Sequence, residues 1–225
     1  MANLVICIEG LVGAGKTTIC RNLINIIPNT VLLNGGNLYR TVISAIIEKG
    51  TKISDLVENA KSIDIKKMMD ILKIEIKIED GETGFYIDGI KADEDYIQSK
   101  EISMAVSSIG GRANEESLYK FAKELIDNLK EKYNVIVSGR DLMKIYPECD
   151  YHIFITADLE ERVKRKAMQY DNKNLEEIKE NIIKRDELQK EAGYYDLSGI
   201  TTVVDVTECK TAEESTNKVL EILKI

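Results

Sequence analysis

Val5-Ile-Cys-Ile-Glu-Gly10-Leu-Val-Gly-Ala-Gly15-Lys-Thr-Thr18 is the stretch on which the reading of this chain turns. Leu4–Ile8 is a short apolar run with β-branched residues, the composition of a strand buried on both faces. Gly10-x₄-Gly15-Lys16-Thr17 follows at once and satisfies G-x-x-x-x-G-K-[ST]. Behind it Ile19, Leu23 and Ile26 share one face of a helix that Pro28 closes. Strand, glycine loop and amphipathic helix form the setting that this motif needs. Glycines let the backbone fold so tightly that successive N–H groups aim at one anion. The helix N-terminus adds unpaired donors and a partial positive charge. The loop therefore predicts a polyphosphate site built from Gly10, Gly13, Ala14, Gly15 and Thr18, with Lys16 bridging the β- and γ-phosphates and Thr17 Oγ1 on Mg²⁺.

Working outward, Val31–Leu33, Val135–Val137, Tyr151–Ile155 and Thr202–Val206 repeat the buried-strand pattern. Helical patterns lie between them. Leu118, Phe121, Leu125 and Leu129 form an apolar stripe, and Asp158–Gln169, Leu175–Glu191 and Thr211–Leu223 read as further helices. Such alternation predicts an α/β fold: a five-stranded parallel sheet with helices on both faces. One stretch departs from it. Lys73–Asp80 alternates polar and apolar residues, Gly81-Glu-Thr-Gly84 reads as a turn, and Phe85–Asp88 resumes, predicting an antiparallel hairpin. With helical segments at Ser62–Leu72 and Lys100–Ile109 it suggests an accessory lobe over 54–111, inside a single domain spanning 1–225.

Composition narrows the classes. A net charge of −8 argues against an extended nucleic-acid surface, although a small site can still be locally positive. No apolar run approaches the ~20 residues a membrane helix needs. Cys7, Cys20, Cys149 and Cys209 lie far apart and read as core thiols in a reducing compartment. The N-terminus runs straight into a strand, so a cytoplasmic location is expected. His152, the sole histidine, falls within a strand and reads as structural. Tyr194-Tyr195 reads as packing or a lid-end contact. A phosphate loop alone leaves GTPases, motor ATPases and small-molecule kinases open. The missing Asn-Lys-x-Asp guanine motif and the small size favour a kinase.

At this point the chain resembles bacterial cytidylate kinases along nearly its whole length. The matching segments are the loop with its strand, Leu32–Arg40, the hairpin insert, Ser138-Gly-Arg-Asp141, Ile155–Arg165 through Gln169, and Lys184-Arg-Asp186. The resemblance implies transfer of a phosphoryl group from ATP, with Mg²⁺, to a nucleoside monophosphate, by an enzyme that is commonly a monomer. It further implies a helical lid over 158–191. Arg40 is then the grip on the acceptor phosphate. Arg140 meets phosphate, Asp141 meets the base, and Ser107 lies nearby. Arg162 and Arg165 close over the triphosphate, and Arg185 reaches the phosphates in the closed state. Guanidinium groups suit this work because they bind phosphate oxygens bidentately without losing charge. Read alone, Arg162 and Arg165 sit beside Glu160, Glu161, Lys164 and Lys166 on a charged helix face, a pattern that favours a solvated surface.

Several departures fall on the acceptor side. Asn34-Gly35-Gly36 stands where the family has Asp-Ser-Gly or Asp-Thr-Gly, and Ser138 replaces an aspartate. Gln189 and Ala192 replace Asp and Arg. Glu116 aligns with the arginine that reads cytosine, and Arg112, four residues earlier, is the nearest substitute donor. These differences keep two other readings open: a kinase of the same fold with another small acceptor, and a nucleotide-binding regulator that has lost turnover.

Overall fold

Every residue of the first strand, β1 (Val5–Gly10), is buried, and its pleat decides the layering of the computed structural model, which describes residues 3–110, 115–170, 174–197 and 199–224. After β1 come α1 (Lys16–Ile26), β2 (Thr30–Asn34), α2 (Gly35–Glu48), α3 (Ile53–Glu58), a 3₁₀ turn at Ala60–Ser62, α4 (Ile65–Leu72), β3 (Ile74–Glu79), β4 (Glu82–Ile87) and β5 (Ile90–Lys91). The chain continues with α5 (Glu94–Ile97), α6 (Lys100–Gly110), α7 (Glu115–Lys130), β6 (Asn134–Ser138), α8 (Leu142–Ile145), β7 (Tyr151–Thr156), α9 (Leu159–Tyr170), α10 (Leu175–Glu191), β8 (Thr202–Asp205) and α11 (Ala212–Leu223). The five expected strands pair in parallel in the order β2-β6-β1-β7-β8.

Alternation along the strands sends side chains to two cores. Ile6 and Ile8 pack with Leu32, Ile136 and Ile153 against Ile19 and Leu23 of α1 and Val219 and Leu223 of α11. Val5 and Cys7 face the other way, with Val31, Leu33, Val135 and Val137, against Ile126 of α7 and Leu142 of α8. Helices therefore cover both faces, as the strand pattern requires. His152 is buried as expected, with Nε2 2.6 Å from Glu9 Oε2 and Nδ1 2.8 Å from Thr201 Oγ1.

The insert differs in two ways from the sequence reading. Its turn is Asp80-Gly81, not Gly81–Gly84: both residues have positive φ, 48° and 79°, as a two-residue hairpin turn demands, and β4 starts directly at Glu82. The hairpin also does not stand apart from the sheet. Leu32 N donates to Gly81 O at 2.8 Å, and Thr83 Oγ1 donates to Leu32 O at 3.1 Å, so β4 continues the sheet beyond β2. Helices α2, α4 and α6 bury a third core beneath it, centred on Val42, Ile65 and Ile109. All four cysteines are free. Among the described residues no helix is long and apolar enough to cross a membrane.

Gly10 marks the closest approach of two strands. Its φ is +147°, and a Cβ there would lie 2.1 Å from Ile155 O. Gly10→Ala is expected to lower stability by about 3 kcal/mol, since backbone on two buried strands cannot yield. Gly199→Ala, where a Cβ meets nothing within 4 Å, is expected to stay within about 0.5 kcal/mol. Urea denaturation of the two variants checks the contrast.

Candidate active site

Above the C-terminal ends of β1, β2 and β6 opens a cleft of about 1180 Å³ whose lining includes Lys16, Asn34 and Ser138. Open parallel sheets place their ligands at this end of the strands. The loop crosses the cleft floor. Gly13 and Gly15 have φ of 79° and 96°, a conformation that costs other residues strain. Lys16 Nζ donates to Gly10 O at 2.9 Å and Leu11 O at 2.8 Å. An ammonium has three N–H donors, so a third remains for a ligand. Burial, then the charges of Arg140, Arg185 and Lys166, push Lys16 well below the usual lysine pKa.

The predicted arginines divide into two groups. Arg40, Arg140, Arg165 and Arg185 all line the cleft. Arg40 Nη1 donates to Asn37 Oδ1 at 3.3 Å, and the guanidinium lies so close over Gly36 that a Cβ there would sit 3.1 Å from Nη1. Arg140 Nε donates to Gln189 Oε1 at 2.6 Å, and Arg185 is buried on the same helix as Gln189. Arg165 reaches the lining, but its guanidinium is tied to Ala14 O, Val206 O and Cys209 O and to Glu161 at 3.1 Å.

Arg162 does not join them. It is buried behind the loop, where Nη1 donates to Val12 O at 3.0 Å and pairs with Asp186 at 2.5 Å. The expected triphosphate contact is replaced by a tie between α9, the loop and α10. Asp186 Oδ1 also accepts from Val12 N at 3.3 Å and from Tyr195 Oη at 2.7 Å, while Tyr195 Oη lies 2.9 Å from Gln189 Oε1. A continuous chain of polar contacts thus runs from Val12 through Asp186, Tyr195 and Gln189 to Arg140.

On the acceptor side Ser107 and Asp141 line the cleft, Ser107 Oγ donating to Ser103 O at 2.8 Å. Asp141 Oδ2 accepts from the hydroxyl of Tyr119 and lies 3.1 Å from Lys144 Nζ. Asn34 caps α2 by accepting from Asn37 N at 3.0 Å. Ser138 ends β6, buried, with its side chain against the Cys20 thiol. Glu116 does not stand where the resemblance put a base-reading residue. It is exposed on α7 beside Asp64, Lys66 and Lys120, outside the cleft lining, so it cannot face an acceptor base. Arg112 lies outside the described residues.

Sequence reasoning missed Tyr119 and Lys166. Tyr119 follows the apolar Leu118 and carries no motif signal of its own; only the folding of α7 over α8 brings it to Asp141. Lys166 sits in a charged run, which hides it, yet it lines the cleft. There burial and the charges of Arg185 and Arg40 lower its pKa to about 8.

Cations drawn from α1, α2, α9, α10 and the β6–α8 connection over one phosphate loop suit transfer between two phosphorylated molecules, and the chain is accordingly a P-loop kinase. The family model described as cytidylate kinase matches residues 6–225. The chain belongs to the cytidylate kinase family and is an enzyme of the nucleoside monophosphate kinase class. Cytidylate kinases from Caldicellulosiruptor bescii and Clostridioides difficile are 32% and 28% identical to it, over 99% and 100% of this chain and 96% and 100% of theirs. Among solved structures, TT1252 from Thermus thermophilus matches with a TM-score of 0.52 at 14% identity, covering 100% of this chain and 97% of its own, a likeness of fold alone.

A lysine with a depressed pKa is neutral above that value and takes a proton up again when an anion binds beside it. Binding of ATP at pH 8.5 is therefore expected to draw protons from the buffer, and Lys166→Met to reduce that uptake by up to about one proton. At pH 7, where Lys166 is already charged, the variant should differ little. Calorimetry in two buffers of different ionisation enthalpy reads the difference; equal uptake in both proteins at pH 8.5 contradicts the assignment.

Proposed function

We propose that the chain transfers the γ-phosphoryl group of ATP to CMP or dCMP. The observation that carries this reading is the cluster of half-buried and buried cations, Lys16, Arg40, Arg140, Lys166 and Arg185, lining one cleft, with the Asp141 carboxylate beyond it. Two polyanions repel as they approach, and fixed cations in a low-dielectric cleft offset that repulsion without reorganising. Lys16, already bracketed by two carbonyls, presents its remaining N–H to the β- and γ-oxygens. The loop amides orient the same phosphates. Arg140, held by Gln189, and Arg185 flank the moving group, while Arg40 holds the acceptor phosphate. No side chain forms a covalent bond; the work is positioning and charge stabilisation.

The residues present fit a magnesium-bound triphosphate. Thr17 lines the cleft directly after Lys16, where its hydroxyl would join the metal's ligands, with Ser138 at the neighbouring strand end. When bound, Mg²⁺ supplies neutralisation of phosphate oxygens. α9 and α10 bury Val12 against Val163, Ile178 and Ile182, so this pair of helices is packed onto the loop it would cover. Excluding water there protects ATP from hydrolysis. The proposed site lies in the cytoplasm, in a protein working as a monomer on free nucleotides.

One observation favours a second reading. Gln189 Oε1 is taken by Arg140 Nε and lies 2.9 Å from Tyr195 Oη, and Ala192 lacks a polar side chain. The same fold could then act on a small phosphorylated acceptor other than CMP or dCMP.

A coupled assay with CMP, dCMP, UMP and AMP separates these readings: turnover led by the cytidine nucleotides is expected, and turnover of none of the four overturns the proposal. Lys16→Ala is expected to reduce kcat by about 10³-fold or more. Its denaturation midpoint should be equal or higher, because the ammonium it removes is buried among like charges. Near-normal turnover in that variant contradicts the mechanism.

A further inference from the structure

Val12, in the middle of the phosphate loop, is gripped from both sides by two helices. Its N–H donates to Asp186 Oδ1 of α10 at 3.3 Å, and its C=O accepts from Arg162 Nη1 of α9 at 3.0 Å. The same Nη1 pairs with Asp186 Oδ2 at 2.5 Å. Next along the loop, Gly13 lies so near α9 that a Cβ there would sit 3.2 Å from Arg162 O. The Val12 side chain packs on Val163, Ile178 and Ile182 of these two helices. Apolar packing of that kind holds helices to a loop unaided, and a buried ion pair adds little net stability over it. What the pair adds is direction. In a trans peptide the N–H and C=O point opposite ways. Drawing Val12 O to Arg162 therefore turns the Gly13 N–H away from that guanidinium, and Gly13 lines the cleft.

The same carboxylate reaches across to Arg140. Asp186 Oδ1 also lies 2.7 Å from Tyr195 Oη, and the single hydroxyl proton of Tyr195 sits between that oxygen and Gln189 Oε1, 2.9 Å away. Gln189 Oε1 accepts from Arg140 Nε at 2.6 Å, and Arg140 Nη1 donates to Gly139 O at 3.0 Å. Two anchored nitrogens fix the plane of the guanidinium and leave Nη2 for a phosphate oxygen. The Tyr195 ring is seated independently, edge to face on Phe154 with centroids 5.8 Å apart. Its hydroxyl can thus be removed while the ring keeps its place.

We infer that Asp186 and Tyr195 are positioning residues for phosphoryl transfer. One carboxylate registers the phosphate loop through Val12 and the Arg140 guanidinium through Tyr195 and Gln189, so that loop and cation keep a fixed spacing. This rests on the proposed place of Arg140 beside the moving phosphoryl group. Neither Asp186 nor Tyr195 lines the cleft, so each acts through the residues it holds. Charge stabilisation works only with donors already in place when the charge develops, and a misplacement of about 1 Å can cost about a hundredfold in rate.

The experiment measures kcat, both KM values and thermal midpoints in the wild type, Tyr195→Phe, Gln189→Ala and the double variant, using whichever of CMP, dCMP, UMP and AMP turns over best. Calorimetry with ATP and Mg²⁺ adds the affinity of the wild type and Asp186→Asn. Tyr195→Phe is expected to lower kcat about tenfold, with KM for ATP unchanged and the thermal midpoint within about 2 °C. Because the hydroxyl acts through Gln189, it should add no further loss in the Gln189→Ala background. Asp186→Asn, which also releases Val12, should weaken ATP binding about tenfold. Normal kcat in Tyr195→Phe overturns the inference, and so do losses that multiply in the double variant, which assign Tyr195 to packing. Wild-type ATP affinity in a folded Asp186→Asn overturns the role of the loop contact; if that variant does not fold, the Tyr195–Gln189 cycle decides alone. A wild type that turns over none of the four nucleotides overturns the proposed acceptor instead, and ATP affinity in Asp186→Asn then decides the inference.

Discussion

Lys16 is held in a buried place where Arg140, Arg185 and Lys166 all oppose its charge, and the rest of the structure is organised around keeping it there. Charges of one sign gathered in a medium of low dielectric repel strongly, so such an arrangement persists only when a rigid frame imposes it. Two carbonyls of the loop bracket the ammonium. Gln189 holds Arg140, and the contacts through Tyr195 and Asp186 return to Val12 on the same loop. The frame beneath is the buried centre of a parallel sheet, with β1 flanked by β6 and β7. A polyphosphate entering this cleft relieves the repulsion, which makes stability and affinity two readings of one electrostatic fact.

The cleft has two chemically distinct ends. One end is cationic, with Arg140, Arg185 and Lys166 around Lys16, while the other holds the Asp141 carboxylate, which accepts from the Tyr119 hydroxyl. Under the proposed function this polarity orients an acceptor nucleotide with its phosphate toward the loop. Across the mouth, Lys100 of α6 pairs with Glu177 of α10 at 2.5 Å, so these two helices touch. Both side chains are largely exposed, and an exposed pair of this kind contributes little energy.

Much of this was readable from the chain, for reasons that differ by level. The loop, the five strands and the long helices follow from local rules: glycine where the backbone must turn, β-branched runs where two faces are buried, a periodic stripe where one is. Thus Leu175–Glu191 is a helix to the residue, capped by Asn174 accepting from Glu177 N. The hairpin turn is set by the left-handed pair Asp80-Gly81, a two-residue turn signal, whereas Gly84 lies inside β4 opposite Lys77. What sequence could not give was the outcome of competition for partners. Arg162 matched a lid pattern, yet Val12 O and Asp186 claim it. Glu116 matched by alignment, yet α7 turns it outward and presents Tyr119. Lys166 was hidden in a solvated-looking run until burial set it apart.

The central claim is that one cleft binds two phosphorylated nucleotides end to end across the same cations. A bisubstrate analogue joining adenosine and cytidine through a five-phosphate bridge tests it directly by calorimetry with Mg²⁺. The account predicts a single site per chain and an affinity at least about a hundredfold above that of ATP, since linking makes the second binding event intramolecular. An analogue that binds no more tightly than ATP would contradict it.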